Sequence, residues 1–276
     1  MLVVLFTSSP TMPLSKWETD LKNACHAVLG WTLNSTIPNH SCPLCREETI
    51  EKFYQDRQRD FFVCGRCQLV FVPPEQLLSE TEEKAAYDCH QNSPTDPEYR
   101  RFLSRLFLPL RDRIAPESHG LDFGSGPGPT LSIMFEEIGH TITIYDHFYA
   151  KYPAALRQTY DFITATEVVE HLHDPATILP QLWKLLKPGG YFGLMTKLVR
   201  DRDTFATWHY KNDRTHVCFF SRSTFTWLAE QCGRLSWNFS VTMPCCFTNR
   251  PITNLVSHRS NHRNNGDWPM MLNNPL

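Results

Sequence analysis

The chain has 276 residues, a formal net charge of −2, 41% hydrophobic residues and 12% aromatic residues. This hydrophobic content excludes a wholly disordered chain, and the length fits one full-sized domain with an appendage or two small domains. The near-neutral charge argues against a strongly nucleic-acid-binding surface, which usually shows as a basic domain.

Residues 1–40 lack a clear functional pattern. The apolar run Met1–Phe6 is too short to span a membrane, and no basic region precedes it. We therefore expect a ragged start to the chain, with Met12 as an alternative start, rather than a secretory signal. No later run approaches the roughly 18 apolar residues of a spanning helix. The expected location is the cytoplasm, with no membrane partner and with reduced cysteines.

Four cysteines between residues 41 and 74 have metal-ligand spacing. Two Cys-x-x-Cys turns enclose 18 residues, and they supply Cys42, Cys45, Cys64 and Cys67. Each such turn contributes two thiolates to a tetrahedral ion in a zinc ribbon. We predict one structural zinc ion, because four thiolates leave no open coordination position for catalysis. Residues 41–74 are called the cysteine module below.

The rest of the chain divides by its hydrophobic pattern. Residues 75–115 are predicted to form a helical cover with a polar break at 88–97. Residues 116–249 alternate short apolar runs with amphipathic stretches, which is typical of βαβ units on a parallel sheet. We predict strands at 119–123, 141–145, 160–165 and 191–196, and helices at 128–138, 175–187 and 221–231. Residues 250–276 are rich in Asn, Pro, Arg and His, and we expect a disordered tail.

A glycine-rich turn follows the first predicted strand of this region. Gly124, Gly126 and Gly128 let the backbone approach a ligand that side chains would exclude, although a turn of this kind can also be a simple tight connection. Asp122 stands just before the turn, and a carboxylate there suits an ammonium-bearing ligand better than a pyrophosphate. Asp146 ends the next strand, where an acidic residue can accept hydrogen bonds from ribose hydroxyls.

Two further segments complete a pattern: Glu167-Val-Val-Glu-His-Leu-His-Asp-Pro175 and Pro188-Gly-Gly190, which leads into the strand at 191–196. Over residues 85–235 the chain resembles the class I S-adenosylmethionine (SAM)-dependent methyltransferases, which have these motifs in the same order. The resemblance displaces a dehydrogenase interpretation and implies a Rossmann-like α/β fold. It implies that the three glycines face SAM, that Asp146 faces its ribose, and that Thr166, Glu167 and Val168 line the ligand edge.

The chain also departs from this family. Only 13 residues separate Asp146 from Tyr160, too few for the usual helix, third strand and connecting helix. We expect a vestigial third strand, and we interpret Phe148 or Tyr149 as a surface on which adenine could stack. Residues 241–247 match the family's closing antiparallel strand poorly.

The candidate acceptor site is the stretch Thr204–Phe220, called the 204–220 loop below. It concentrates Trp208, His209, Tyr210 and His216, and loops of this kind often carry binding groups, although aromatic side chains can also simply pack a lid. The loop is similar to that of a zinc-ribbon-bearing bacterial subgroup of the methyltransferases, which also has a Tyr-x-x-His segment like Tyr87-Asp-Cys-His90.

Histidine is the natural base near neutral pH, so His209, His216 and His90 are the catalytic candidates. Tyr87, Trp208 and Tyr210 are the substrate-binding candidates. His171, beside the cofactor motif, is interpreted mainly as a structural partner.

Three functions remain open from the sequence. The leading hypothesis is a methyltransferase acting on a small molecule, since the resemblance supplies a cofactor but not an acceptor. The second is a ribosomal-RNA base methyltransferase whose cysteine module recognises RNA, against which the near-neutral charge counts. The third is a SAM-binding regulatory or assembly protein without turnover, which the altered third-strand region and the unusual C-terminal region motivate.

Overall fold

The computed structural model describes residues 2–7, 40–89 and 92–231, together with the backbone of 238–241. All of the described residues fall within one compact unit. The predicted tail at 250–276 and the catalytic candidate His90 lie outside the described residues. Among the helices of the described ranges, none has the length and hydropathy that crossing a membrane requires.

The described chain contains ten strands and six α-helices. The strands are β1 Leu2–Thr7, β2 Ile50–Gln55, β3 Asp60–Cys64, β4 Val70–Phe71, β5 His119–Phe123, β6 Thr141–Tyr145, β7 Tyr160–Thr166, β8 Leu186–Thr196, β9 Cys218–Phe219 and β10 Asn238–Val241. The helices are α1 Glu80–Tyr87, α2 Pro97–Arg111, α3 Thr130–Glu136, α4 Pro175–Lys184, α5 Arg202–Ala206 and α6 Arg222–Gln231. Short 3₁₀ helices occupy Pro74–Gln76, Pro153–Arg157, Val169–His171 and His209–Asn212.

Six strands form the larger sheet in the order β10-β1-β8-β7-β5-β6. Strands β5 to β8 pair in parallel, whereas β1 runs antiparallel to both β8 and β10. Helices connect the parallel strands, because a parallel pair needs a crossover connection. The predicted α/β Rossmann-like fold with its four parallel strands is therefore confirmed.

Strand β1 corrects the expectation of a ragged start. Residues Leu2–Thr7 lie inside the sheet between two partners, and their side chains alternate between two cores. Val3 and Leu5 join the core under α2 and α3, whereas Leu2, Val4 and Phe6 join the core on the opposite face. A strand that is buried on both faces is apolar at every position, so the run lacks the alternation that marks a half-exposed strand.

Helix starts follow the local sequence. Ser79 caps α1 through a reciprocal capping box with Glu82, and Asp96 caps α2 by accepting from the backbone N–H groups of Glu98 and Tyr99. Asp174 caps α4 and is followed by Pro175 at the first helical position, where proline loses no hydrogen bond. The Asp174–Pro175 pair thus ends the segment that begins at Glu167.

The smaller sheet has the order β2-β3-β4-β9 and is antiparallel throughout. Its first three strands come from the cysteine module, but β9 comes from the 204–220 loop. The module and the loop that carries the acceptor candidates are therefore parts of one sheet.

The region between Asp146 and Tyr160 contains the 3₁₀ helix Pro153–Arg157 and no strand that joins the sheet, so β6 is its edge. This agrees with the expectation that the third strand of the family is reduced. The backbone of β10 pairs with β1, so the antiparallel strand between β8 and β10 comes from residues 2–7.

Candidate active site

The glycine turn lies at the carboxyl end of β5, as predicted. Gly124 and Gly126 have φ angles of +75° and +64°, a conformation that residues with a side chain rarely adopt. The Gly124 N–H donates to the Tyr145 carbonyl at 2.7 Å and ties the turn to β6. A Cβ atom on Gly126 would meet no atom of the described residues within 4 Å, so the described part of the chain leaves open space beside this glycine.

The other two glycines serve packing within the protein. A Cβ atom on Gly124 would overlap Val168 Cγ2 at 2.4 Å, and one on Gly128 would overlap the backbone oxygen of Asn92 at 2.3 Å. Gly124 and Gly128 therefore lack side chains because neighbouring parts of the chain leave no room for them. Of the three predicted cofactor glycines, Gly126 is the one that the structure leaves facing a space that a ligand can enter.

Asp146 lies beside this turn. Its Oδ2 atom accepts from the Gly126 N–H at 2.9 Å, and its Oδ1 atom accepts from the N–H groups of Phe148 and Tyr149 at 2.8 and 3.0 Å. A carboxylate has about four acceptor positions, so three backbone bonds leave room for a further donor such as a hydroxyl. Asp146 thus braces the glycine turn as well as standing where a ribose contact was expected.

Asp122 is placed differently from the expectation. The residue is buried, and its two carboxylate oxygens accept from the hydroxyls of Thr164 and Ser132, each at 2.8 Å. Burial raises the pKa of this carboxyl group. Asp122 therefore joins β5, β7 and α3 beneath the turn, and its oxygens are not directed at the open space beside Gly126.

The glycine turn after β5 and the carboxyl end of β7 carry buried polar atoms. Ser125 Oγ, Thr166 Oγ1 and Glu167 Oε1 are buried and have no hydrogen-bond partner among the described residues. Buried polar groups normally find a partner, so three orphans at one sheet edge indicate a place for ligand atoms or water. Glu167 also has a φ angle of +54°, a strained conformation outside glycine that the bond from its N–H to the Met195 carbonyl (2.8 Å) supports.

Two acidic residues lie together here. Burial, followed by the neighbouring carboxyl group of Glu170, raises the pKa of Glu167 to about 9. Burial likewise raises the pKa of Glu170 to about 7. Glu170 is fully buried and accepts from the Thr196 hydroxyl at 3.0 Å and from the Tyr210 hydroxyl. The sequence pattern named Glu167 as a ligand-edge residue but assigned no role to Glu170.

A row of rings connects the helical cover to the 204–220 loop. Ring centroids are 5.3 Å apart for Tyr87 and His171, 4.7 Å for His171 and His216, 4.1 Å for His216 and Tyr210, and 4.9 Å for Tyr210 and Trp208. Tyr87 also contacts Phe148 at 5.6 Å, which brings the row to the segment after Asp146. The structure therefore brings together Tyr87, Trp208, Tyr210 and His216, which were predicted separately.

The two loop histidines are placed differently. His216 is 7% exposed, its Nδ1 atom lies 2.7 Å from the Tyr210 carbonyl, and burial lowers its pKa. His209 is exposed, and its Nε2 atom lies 3.2 Å from the Lys197 ammonium. His209 therefore does not join the row of rings.

Arg59 holds the 204–220 loop from the cysteine module. The residue is 4% exposed, and its guanidinium donates to the carbonyls of Asp213, Arg214 and His216 at 3.0, 3.2 and 2.9 Å, and to the carbonyl of Lys211. Sequence reasoning missed this residue, because an arginine between Gln58 and Asp60 in a mixed-charge hairpin gives no signal of its own.

The four predicted metal ligands are brought together. The sulfur atoms of Cys42, Cys45, Cys64 and Cys67 all lie within 4.8 Å of one another. The Sγ atoms are 3.5 Å apart for Cys42 and Cys67 and 3.4 Å apart for Cys45 and Cys64. Arg46 and Gln68, one residue after each Cys-x-x-Cys turn, have φ angles of +60° and +59°. A residue in the left-handed conformation thus follows each turn, and the two turns present their thiols to one point.

Known proteins with similar sequences are methyltransferases. Over 79 residues the chain is 34% identical to a ubiquinone biosynthesis O-methyltransferase of Proteus mirabilis, and the match covers 29% of this chain and 32% of that relative. A protein of the same name from Cereibacter sphaeroides is 35% identical over 94 residues, with 34% and 37% covered. The chain therefore matches about a third of the length of these curated relatives.

Solved structures give a looser match. The SAH-bound form of CalO1, a methyltransferase of calicheamicin biosynthesis, aligns with a TM-score of 0.37 and 12% identity over 58% of this chain and 57% of that chain. A family profile described as a methyltransferase domain matches residues 95–233, half of the chain. This range contains the glycine turn, Asp146, the segment from Glu167 to Pro175 and the 204–220 loop. By this match the chain belongs to the methyltransferase domain family of the class I SAM-dependent enzymes.

Proposed function

We propose that the protein binds SAM at the carboxyl edge of β5, β6 and β7 and transfers its methyl group to a small-molecule acceptor. The observation that carries this proposal is the open space beside Gly126, together with the unpartnered atoms Ser125 Oγ, Thr166 Oγ1 and Glu167 Oε1. Ligands of open α/β sheets bind beyond the carboxyl ends of the strands, which is where these atoms lie.

These residues fit SAM by their chemistry. Gly126 allows backbone approach, Asp146 has an acceptor position left for a ribose hydroxyl, and the orphan oxygens can receive polar groups of the ligand. Phe148 offers an apolar ring next to Asp146, as the adenine-stacking hypothesis requires. When bound, SAM supplies an electrophilic methyl group on a sulfonium centre.

The row of rings from Tyr87 to Trp208 forms the acceptor side in this proposal. Holding an acceptor in line with a reactive methyl group can supply much of the rate acceleration, and flat rings also keep water out. His216 is the stronger of the two loop candidates for assisting proton removal from an acceptor, because it lies in the row whereas His209 is exposed beside Lys197.

A small molecule is preferred to RNA for two reasons. The relatives are named for ubiquinone biosynthesis as O-methyltransferases, which supports an oxygen acceptor on a small molecule. The cysteine module, which the RNA hypothesis needs as a recognition surface, contributes Arg59 to the 204–220 loop instead. Conversion of SAM to S-adenosylhomocysteine on an acceptor would distinguish a methyltransferase from a SAM-binding protein without catalytic activity.

The cofactor test compares Gly126 with Gly139. Gly126 and Gly139 have positive φ angles, and a Cβ atom on either would meet no described residue within 4 Å. Gly126→Arg should abolish the rise in melting temperature that SAM or SAH causes, because the new side chain fills the ligand space. Gly139→Arg should keep that rise, since Gly139 lies at the other end of α3. A rise caused by NAD and not by SAM would refute the proposal.

The acceptor test separates His216 from His209. With an acceptor found by following S-adenosylhomocysteine production on a panel of phenols, amines and RNA, His216→Asn should lower turnover by roughly 10²–10⁴-fold. His209→Asn should lower it far less, and both variants should keep the SAM-induced rise in melting temperature. Equal losses in the two variants would contradict the assignment, and turnover on RNA alone would favour the RNA hypothesis.

We further propose that Cys42, Cys45, Cys64 and Cys67 bind one structural zinc ion, as in a zinc ribbon. Their converging sulfur atoms support this, since Zn²⁺ prefers a tetrahedral set of thiolates. Elemental analysis should find one zinc bound to these thiolates, and Cys42→Ser should lose it and unfold the module. Cys89→Ser is the matched control, because Cys89 is exposed and outside the cluster. Absence of zinc from protein purified under reducing conditions would defeat this proposal.

A further inference from the structure

Lys197 is a charged residue at the carboxyl edge of the larger sheet. It directly follows Thr196, the last residue of β8. Strands β7 and β8 are parallel, and the N–H of Glu167, which directly follows β7, donates to the Met195 carbonyl, so the two strands end together. The ammonium of Lys197 lies over the Tyr210 ring, 4.8 Å from its centroid. Lys197 therefore places a positive charge where the SAM edge meets the row of rings.

The charge of Lys197 has no carboxylate partner in the described part of the chain. Three of the described lysines are buried or half-buried, namely Lys187, Lys197 and Lys211. Lys187 forms a salt bridge with Asp161 at 2.9 Å, and Lys211 forms one with Asp56 at 3.6 Å. No carboxylate oxygen of the described residues lies within 4.0 Å of the Lys197 ammonium. Charges that leave bulk water are usually paired, so this ammonium indicates a place for an anionic group.

His209 and Tyr210 hold the ammonium without neutralising it. An ammonium has three donors and no acceptor, so Lys197 donates to His209 Nε2 at 3.2 Å, and this nitrogen carries no proton. The face of the Tyr210 ring attracts the same cation. At least one N–H donor of the ammonium is left for a ligand. His209, the catalytic candidate outside the row of rings, is by this geometry a positioning residue for Lys197.

The acidic groups nearby leave much of this charge uncompensated near pH 7. Burial, followed by the carboxyl group of Glu170, raises the pKa of Glu167 to about 9, so the Glu167 carboxyl group is neutral at that pH. The charge of Lys197 opposes this rise, which means that it acts on the same pair. The oxygens of Glu170 accept from the hydroxyls of Thr196 and Tyr210 instead of from the ammonium. The charge of Lys197 is therefore left for a bound ligand.

We propose that Lys197 binds a carboxylate group of the acceptor and that the acceptor is an aromatic hydroxy acid. The row of rings offers flat apolar surfaces against which an aromatic ring can pack. The hydroxyl group supplies the oxygen acceptor that the proposed function favours. This inference rests on the proposed function, whose acceptor it specifies.

A carboxylate fits this position better than a phosphate group does. One ammonium matches the single charge of a carboxylate, whereas phosphate groups are usually bound by several donors or by a bidentate arginine. Asp213 also lies beside the row of rings, with its Oδ2 atom 3.8 Å from His216 Nε2. Its negative charge disfavours a doubly charged anion at this place.

Binding to the zinc-loaded full chain tests the assignment. The probes are the ortho, meta and para hydroxybenzoates, each compared with the hydroxybenzamide of the same shape, which is neutral near pH 7. Isothermal titration calorimetry is carried out with and without SAH, which has no methyl group to transfer. The wild-type chain with SAH should bind at least one hydroxybenzoate about tenfold or more tightly than its amide, because a hydrogen bond to a charged group is stronger than a neutral one.

Substitutions of two lysines locate the carboxylate. Lys197→Met keeps the length of the side chain and removes its charge, so the preference for the acid over the amide should disappear. Lys197→Arg should keep the preference, because it keeps the charge. Lys184→Met is the matched control and should also keep it, since Lys184 is exposed at the end of α4, before β8 begins. Circular dichroism on each variant confirms that it is folded. A purely structural role of Lys197 would change the binding of acid and amide alike.

The proposal is overturned if the wild-type chain prefers none of the three acids to its amide, or if Lys197→Met keeps the preference. Tighter binding of phenyl phosphate than of every hydroxybenzoate would also overturn it, because the lysine would then serve a phosphate group. The SAH-induced rise in melting temperature is measured on the same samples. A retained rise without a preference for the acid defeats this inference and leaves the proposed function standing, whereas a preference without any rise does the reverse.

Discussion

Replacing Arg59 with alanine tests how firmly the cysteine module holds the 204–220 loop. The guanidinium is buried and donates to four carbonyl groups of that loop. The carbonyls belong to Lys211 and His216, which are buried, and to Asp213 and Arg214, which are partly or fully exposed. Water can replace the arginine at the latter two, so the loss concentrates on the buried pair.

The magnitude follows from these two carbonyls. A buried acceptor left without a partner costs about 1–3 kcal/mol, so two of them predict a destabilisation of about 2–6 kcal/mol. For a domain of this size a change of 1 kcal/mol moves the melting temperature by about 2–4 °C. Arg59→Ala should therefore lower the melting temperature by about 4 °C or more.

Urea unfolding and thermal melting of zinc-loaded protein give the two readouts. Arg57→Ala is the control, since Arg57 is exposed in the same hairpin and its replacement should change stability by less than about 0.5 kcal/mol. Equal stability of the Arg59 and Arg57 variants would show that the loop does not depend on the module.

Two further predictions concern the fold. Leu5→Ala should lower the free energy of unfolding in urea by about 2–5 kcal/mol, because Leu5 is only 3% exposed in β1. The control Ile138→Ala should have little effect, since Ile138 is 45% exposed. Similar effects of the two substitutions would mean that β1 does not belong to the core. The salt bridge from Lys52 and the hydrogen bond from Gln76 hold the pKa of Asp60 below its usual value of 3.8. The wild-type chain should therefore be more stable than Asp60→Asn near pH 7, and this difference should disappear as the pH falls through the lowered pKa. Melting curves between pH 7 and pH 3 check the direction, and a difference that grows in acid would contradict it.

The parallel strands and the glycine turn could be predicted from the sequence because their signals are local. Each predicted strand of the methyltransferase region is a short apolar run bounded by turn residues, and Gly126 and Asp146 stand at fixed distances from such runs. Strand β1 could not be recognised, because its partners β8 and β10 lie far along the chain and its six residues carry no turn signal.

Side-chain roles were harder to predict than positions. Asp122 and Asp146 lie near the carboxyl ends of adjacent strands, yet the first is buried against Ser132 and Thr164 whereas the second borders the glycine turn. His209 and His216 occupy one loop, but His209 is exposed at the start of the 3₁₀ helix His209–Asn212, whereas His216 is buried. Which face a loop residue presents depends on the packing of distant elements, and Arg59 shows one such dependence.

The pairing of β9 with β4 has a consequence for the order of folding. Strands β2, β3 and β4 are neighbours in the chain, so their contacts form quickly and can be completed while the ribosome is still producing the methyltransferase region. Strand β9 is synthesised long afterwards, and until then β4 presents an open edge on which foreign strands can pair. We therefore expect nascent chains that end before Cys218 to be the most prone to aggregate, and chaperones that cover strand edges to matter most over that interval.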